Sequence, residues 1–303
     1  MIGQLSHLTP FAAASWSLFN QLLVSGIVLG SAYALLGVSL GLIYATTRTF
    51  HIAHAAVYTL AAYAAVVVAT KAGAGLVLGV VAAIVVAVAA GLLIQRAGYR
   101  PMRRRGTAPM VMFLFSLGAS VVVTNGLQLG FGPENQPLGG FPEHNYAVGD
   151  VRFTRLDVVQ VAVAWALIAA TVVFVRRSQY GRAITAVRTN EQMAAAVGIR
   201  VERIHRLVFA LGSALAAVAA VLYTLGAVAT PTMGLEPILL AFVAVFAGGV
   251  GSQLGAALGG LLLGLLMSLS GLWLASEFSL VVAFAVLFAV LIARPTGLLG
   301  RSA

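Results

Sequence analysis

Few side chains in this sequence could do chemistry, and those that stand out lie in or beside apolar stretches. His51 and His54 stand at the start of one apolar run, and Asn125 and Gln128 lie within another. Asn125 and Gln128 are three apart and share a helix face, so they can line a path for a zwitterion or bond to neighbouring helices. The histidines fall at the cytoplasmic mouth of the second apolar run, where a solvated or headgroup-facing imidazole is the ordinary expectation. No metal role is expected, because no carboxylate or cysteine lies nearby in the sequence to complete a ligand set. Nor does the sequence show paired carboxylates or a nucleophile beside a base, so no catalytic residue is assigned. The densest chemistry is basic: seven arginines lie between Arg176 and Arg206.

Composition supplies the setting. Of 303 residues, 61% are hydrophobic and 9% charged, and mean hydropathy is +1.01. Soluble domains carry about 25% charged residues. A chain this apolar cannot cover a water-facing surface, so membrane lipid must be its solvent. The formal charge of +10 then fits the basic loops of a membrane protein better than a nucleic-acid partner. Cysteine is absent, which excludes thiolate chemistry.

Helical spans need roughly 20 apolar residues. Candidates fall at about 18–44, 52–70, 75–94, 108–131, 157–175, 207–229, 238–249, 254–274 and 278–293. The sequence therefore predicts an all-α polytopic membrane protein with eight or nine spans, forming a single transmembrane domain over 1–303. The first span is long enough to tilt or to break at Gly26, Gly30, Gly37 or Gly41. The seventh is short, and reads as a crossing or as a broken, re-entrant piece buried in protein. Arginine placement orients the chain. Arg48, Arg96–Arg105, Arg176–Arg206, Arg294 and Arg301 put 15 of the 18 basic residues on one side. That side is expected to be cytoplasmic, with the N-terminus outside and the C-terminus inside for nine crossings. The polar stretch at about 132–156 is the main external feature, either a connector or part of a docking surface for an external protein.

Within the basic loop at 176–206 the sequence predicts a short helix. Thr189 or Asn190 can cap it, Glu191 sits in its first turn, and Gly198 follows its end. Gln192–Val197 favours a helix with small side chains. Such a helix can seat in a groove of a partner, or lie on lipid headgroups. Small residues also recur near the C-terminus, at Gly251, Gly255 and Gly259 and then at Gly260 and Gly264. That spacing lets helix backbones approach closely, within one subunit or at an interface.

The stretch YGRAITAVRTNEQMAAAVGI resembles the cytoplasmic coupling-loop signature of ABC importer permeases. More narrowly, the chain is similar to the branched-chain amino acid permease family, nearest to its first permease subunit. Ala194, Ala195 and Gly198 match the importer motif, while Gln192 occupies the usual glutamate position and Glu191 precedes it. QLLVSGIVLGSAYALLGVSLGLIYATTRTFHIAHAAVYTLAAYAA resembles the first two spans of that family. There the customary Asn-Phe-Ala-His-Gly reads His51-Ile52-Ala53-His54-Ala55. Ala55 and Ala61 replace usual glycines, and Ala56 stands where an acidic residue is common. FAGGVGSQLGAALGGLLLGLL and RPTGLLG resemble the family's ending.

The sequence holds no Gly-x-x-x-x-Gly-Lys loop, since its sole lysine is Lys71, and no acidic residue falls in the middle of a span. Energy for transport must then come from a separate ATPase. The resemblance implies the full arrangement: a second permease subunit, two cytoplasmic ATPases that use ATP and Mg, and an external solute-binding protein. It implies an importer of branched-chain amino acids or a related small solute across the bacterial inner membrane, with no cofactor on this chain. Glu191, Gln192, Ala194, Ala195 and Gly198 would couple to the ATPase. Asn125, Gln128, His51 and His54 are the candidates for the substrate path. A self-sufficient ion-coupled transporter or channel is the alternative.

Overall fold

The computed structural model describes residues 8–142 and 144–300. The architecture is a helical bundle. Seven helices are long and apolar enough to cross a membrane, and two shorter apolar helices complete the set, Leu235–Gly248 and Ser279–Ala293. The chain is thus an all-α polytopic membrane protein. Its only strands among the described residues are four short pieces in two ribbons.

The first helix, α1 (Leu8–Thr47), is unbroken over 40 residues. Of the two possibilities, tilting or breaking at its glycines, the break does not occur. Those glycines instead receive α11 (Gln253–Ser270), which runs antiparallel to α1. A Cβ on Gly26 would lie 3.0 Å from the Leu265 backbone, on Gly30 2.7 Å from the Leu261 carbonyl, and on Gly37 3.1 Å from the Ala256 carbonyl. The approach is reciprocal: side chains on Gly260 or Gly264 would run into the backbones of Ala34 and Gly30. Lipid is as apolar as leucine, so helices there associate through close packing, which small residues permit. Gly255 and Gly259 face the other way, onto α10 (Leu235–Gly248), at the Gly248 and Ala244 carbonyls. Both small-residue rows therefore pack within this chain.

Around α1 stand α2 (His54–Val66, extended by a π-turn to Lys71), α9 (Val201–Gly226) and α10, and these four form most of the buried core. Outside them lie α3 (Leu76–Leu93), which continues through a π-helical turn into α4 (Arg100–Arg104), α5 (Pro109–Phe131), α6 (Arg155–Arg177) and α12 (Ser279–Ala293). These carry the exposed large apolar side chains, such as Val85, Val122, Val173 and Ile292, as lipid-facing helices should. Two further helices, α7 (Gln179–Thr189) and α8 (Glu191–Ala196), lie between α6 and α9.

The stretch at about 132–156 carries short strands. Strands β2 (Asn145–Val148) and β3 (Val151–Thr154) form a hairpin, and β1 (Gln136–Pro137) pairs with β4 (Val228–Ala229). Gln21 clasps the Arg152 peptide with both amide atoms, its Oε1 accepting at 2.8 Å and its Nε2 donating at 3.0 Å. Thr154 and Asp157 then form a capping box that starts α6. At the far ends, α9 begins six residues before the predicted span at 207, so Glu202, Arg203, His205 and Arg206 belong to a helix and not to the loop.

Gly264→Ala should loosen the α1–α11 contact and destabilise the protein by about 1–3 kcal/mol, read as a lower thermal midpoint in detergent. Gly118→Ala, where a Cβ meets nothing within 4 Å, should stabilise by about 0.5–1 kcal/mol.

Candidate functional site

Two regions bring polar groups together. The first lies inside the bundle. Ser39 on α1 and His54 at the start of α2 are joined by a hydrogen bond of 2.8 Å, and Ser39 Oγ donates to the Gly212 carbonyl on α9 at 2.7 Å. Thr47, the end of α1, is eight residues past Ser39, about 12 Å along the axis. Residues 48–53 must therefore run back into the bundle to bring His54 beside Ser39. Ser116, seven residues inside α5, accepts from the Ala53 amide at 2.8 Å and marks the same depth. Arg48 begins the return with φ +52, a left-handed conformation uncommon outside glycine.

A second irregular segment arrives from the opposite end. Residues 227–234 turn back after α9, and a Cβ on Gly234 would collide with the Ala55 carbonyl and Thr59 Oγ1 on the first turns of α2. The seventh apolar run is a continuous 14-residue helix, α10, and the irregular backbone lies before it, at 227–234. Non-helical backbone at membrane depth persists only where protein or a water-filled cavity surrounds it. Here protein does so: Ile52, Ala53, Ala55 and Ala229 are all buried.

This geometry corrects the expectation for the histidines. His51 and His54 are both 0% exposed, not solvated at a span mouth, because the chain folds them inward. His51 Nδ1 meets the Tyr99 hydroxyl at 3.0 Å, and its ring lies against Phe209 at 5.0 Å between centroids. Since the Ser39 proton goes to Gly212, Nε2 of His54 must carry the hydrogen and donate to Ser39. Asn125 and Gln128 occupy a different environment. Both are exposed on the outer side of α5, and Asn125 Nδ2 is satisfied by the Val121 carbonyl at 2.8 Å. The four candidates do not form one cluster.

The second region is the loop between α6 and α9. Ser178 caps α7 by accepting from the Gly181 amide, and Gly181, Ile184 and Val187 turn inward at three-residue spacing. The sequence reading missed this helix, although that spacing is legible in it. Asn190 then ends α7 and caps α8, its Oδ1 accepting from the Met193 amide at 2.9 Å. The amides of Gly198 and Ile199 return to the carbonyls of Ala195 and Ala194, both at 3.0 Å, with Gly198 at φ +88. This is a Schellman stop, and it requires the left-handed conformation glycine adopts freely.

The small-residue seat is divided by this geometry. Ala194 is 3% exposed and packs inward with Ile184, Ile204 and Ile199, so it anchors α8 and does not face outward. Glu191, Gln192, Ala195 and Gly198 are exposed. Met193 and Val197, which the sequence did not single out, are 61% and 70% exposed. Behind them Arg100 pairs with Glu202 at 3.2 Å, and Arg103 bonds to His205 at 2.7 Å, linking α4 to the start of α9.

A bundle of apolar helices with two inward-folded segments and a capped helix on its basic end defines a polytopic membrane protein. The chain belongs to the branched-chain amino acid transport system / permease component family, whose model matches residues 22–291. It is 34% identical over 300 residues to the high-affinity branched-chain amino acid transport system permease protein LivH of Escherichia coli K12, covering 93% of this chain and 96% of that one. It is 32% identical over 297 residues to the permease protein BraD of Pseudomonas aeruginosa, with the same coverage. Among solved structures, PsaBC from Streptococcus pneumoniae in complex with Fab matches 91% of this chain and 92% of that one, with TM-score 0.50 and 14% identity, a likeness of fold alone.

Proposed function

We propose that this chain is a permease subunit of an ATP-driven importer of branched-chain amino acids or close relatives, in the inner membrane. The observation that carries the reading is α8. It is a short, rigid helix, fixed from behind by Ala194 and stopped at Gly198, that presents Met193, Ala195 and Val197 outward at the arginine-rich end. Exposed apolar side chains on an otherwise basic face suit a protein groove better than bulk water. A partner ATPase that grips this knob moves α7 and α9 with it, because α8 is covalently continuous with both. ATP and Mg act on the ATPase, and this chain remains a non-enzymatic transport subunit.

The arginine-rich end is then cytoplasmic. Counting the re-entrant segments with α2 and α10, the chain crosses nine times and leaves the N-terminus outside. The β2–β3 hairpin on the opposite end is placed to meet an external solute-binding protein. Asn125 and Gln128, exposed on α5, fit a path shared with a second permease subunit. His51 and His54 act behind that path, as supports of the inward-folded 48–53 segment.

Purified alone, the chain should hydrolyse no ATP, and uptake into proteoliposomes should require the ATPase. Uptake with the permease alone, driven by an ion gradient, would overturn the reading. Ala195→Arg should lower uptake at least about tenfold while leaving the amount of protein in the membrane unchanged, as loss of one central contact would. Ala194→Arg should instead lower that amount, because it forces a charge into the anchor. Normal uptake by Ala195→Arg would remove α8 from coupling.

A further inference from the structure

A cleft of about 1140 Å³ opens at the arginine-rich end, between the ends of α1 and α6, the helix α7 and the turn joining α10 to α11. Arg48, Arg176, Arg182 and Arg188 line it, and among the described residues no aspartate or glutamate does. Arg188 donates to the Gly251 carbonyl and holds α7 against the α10–α11 turn. Arg48, Arg176 and Arg182 are exposed around the opening. The cleft has a second character. Val172, Val175 and Leu254 also line it, and the first two belong to the last turns of a membrane span. The neighbouring Val173 is 52% exposed on the outer side of α6, so the cleft lies beside the lipid-facing surface.

We infer that this cleft binds the headgroup of an anionic phospholipid. Arg48, Arg176 and Arg182 put three exposed guanidinium groups on one cleft, and a phosphate oxyanion takes bidentate hydrogen bonds from such groups. The apolar lining decides between sources of phosphate. A free phosphate would meet the arginines and leave Val172 and Leu254 uncovered. A phospholipid covers both, its phosphodiester at the arginines and the upper part of its acyl chains against Val172 and Leu254. Basic pockets between membrane helices are a recognised setting for such headgroups. The left-handed backbone at Arg48 gains a role as well, since it brings that side chain to the cleft at the point where the chain turns inward. The inference goes beyond transport coupling, and it rests on the bundle lying in a bilayer, not on an ATPase partner.

The test uses the full chain in phosphatidylcholine nanodiscs containing a small fraction of photoactivatable phosphatidylglycerol, without ATPase. Labelled peptides should fall in 172–188 and 250–254. Arg48→Gln with Arg182→Gln should cut that labelling about thirtyfold, about fivefold for each charge removed. Arg104→Gln with Arg105→Gln removes two exposed arginines outside the cleft and should leave it unchanged. Arg48→Lys with Arg182→Lys should recover most of the labelling, which a misfolded cleft would not do. Equal loss in both glutamine pairs would reduce the site to diffuse attraction by a basic surface and overturn the proposal. Equal labelling by a photoactivatable phosphatidylcholine, or full displacement of the lipid by inorganic phosphate, would overturn it too.

Discussion

No water is available in the middle of a bilayer, so every peptide group there must be satisfied by the chain itself. That constraint explains why most of this protein is helix. It also explains why the inner parts of its two irregular segments, His51–Ala53 in one and Ala229 and Gly234 in the other, are buried among other helices. The Ala53 amide takes Ser116 as acceptor, and Ser39 bridges His54 to the Gly212 carbonyl. Polar side chains at this depth do the satisfying that water does elsewhere, and the surrounding helices close over them.

Close packing makes that enclosure possible. The glycines of α1 and α11 bring two backbones into contact along several turns, and Gly255 and Gly259 do the same against α10. The frame of α1, α10 and α11 is thereby fixed, and Phe50, at the outset of the inward-folded segment, stacks onto it between Tyr44 and Phe246. On the opposite side, the contacts of His51 with Tyr99 and Phe209 tie the same segment to α9 and to the α3–α4 helix. The re-entrant segment is held from both sides, and it lies between the frame and the helices that lead to the basic end.

That end is built differently. α7 and α8 are held by caps and by a single row of inward side chains, which leaves their outer faces free. The ion pair of Arg100 with Glu202 and the contact of Arg103 with His205 brace the start of α9 beneath them. A partner's motion at α8 would pass to α9, and α9 carries Gly212, the acceptor that helps hold the inward-folded histidine segment. The chain of contacts from α8 to the centre of the bundle is thus short and made of packed helix.

Much of this was legible in the sequence because it depends on local rules. Runs of apolar residues gave the spans, the distribution of arginine gave the basic end, Asn190 and Gly198 bounded α8, and the small-residue spacing marked helices in contact. What stayed hidden depends on neighbours distant in sequence. Nothing in RTFHIAH says that the chain turns back into the bundle, since the turn exists only because Ser39, Ser116 and Gly212 supply partners there. The same holds for Ala194 and Ala195: adjacent and identical, one is buried and the other exposed, because Ile184 and Ile204 close over only one of them. Sequence fixes which residues can live in lipid and where helices start and stop. Tertiary packing alone decides which polar groups find partners inside, since partners for buried hydrogen bonds come from elsewhere in the fold.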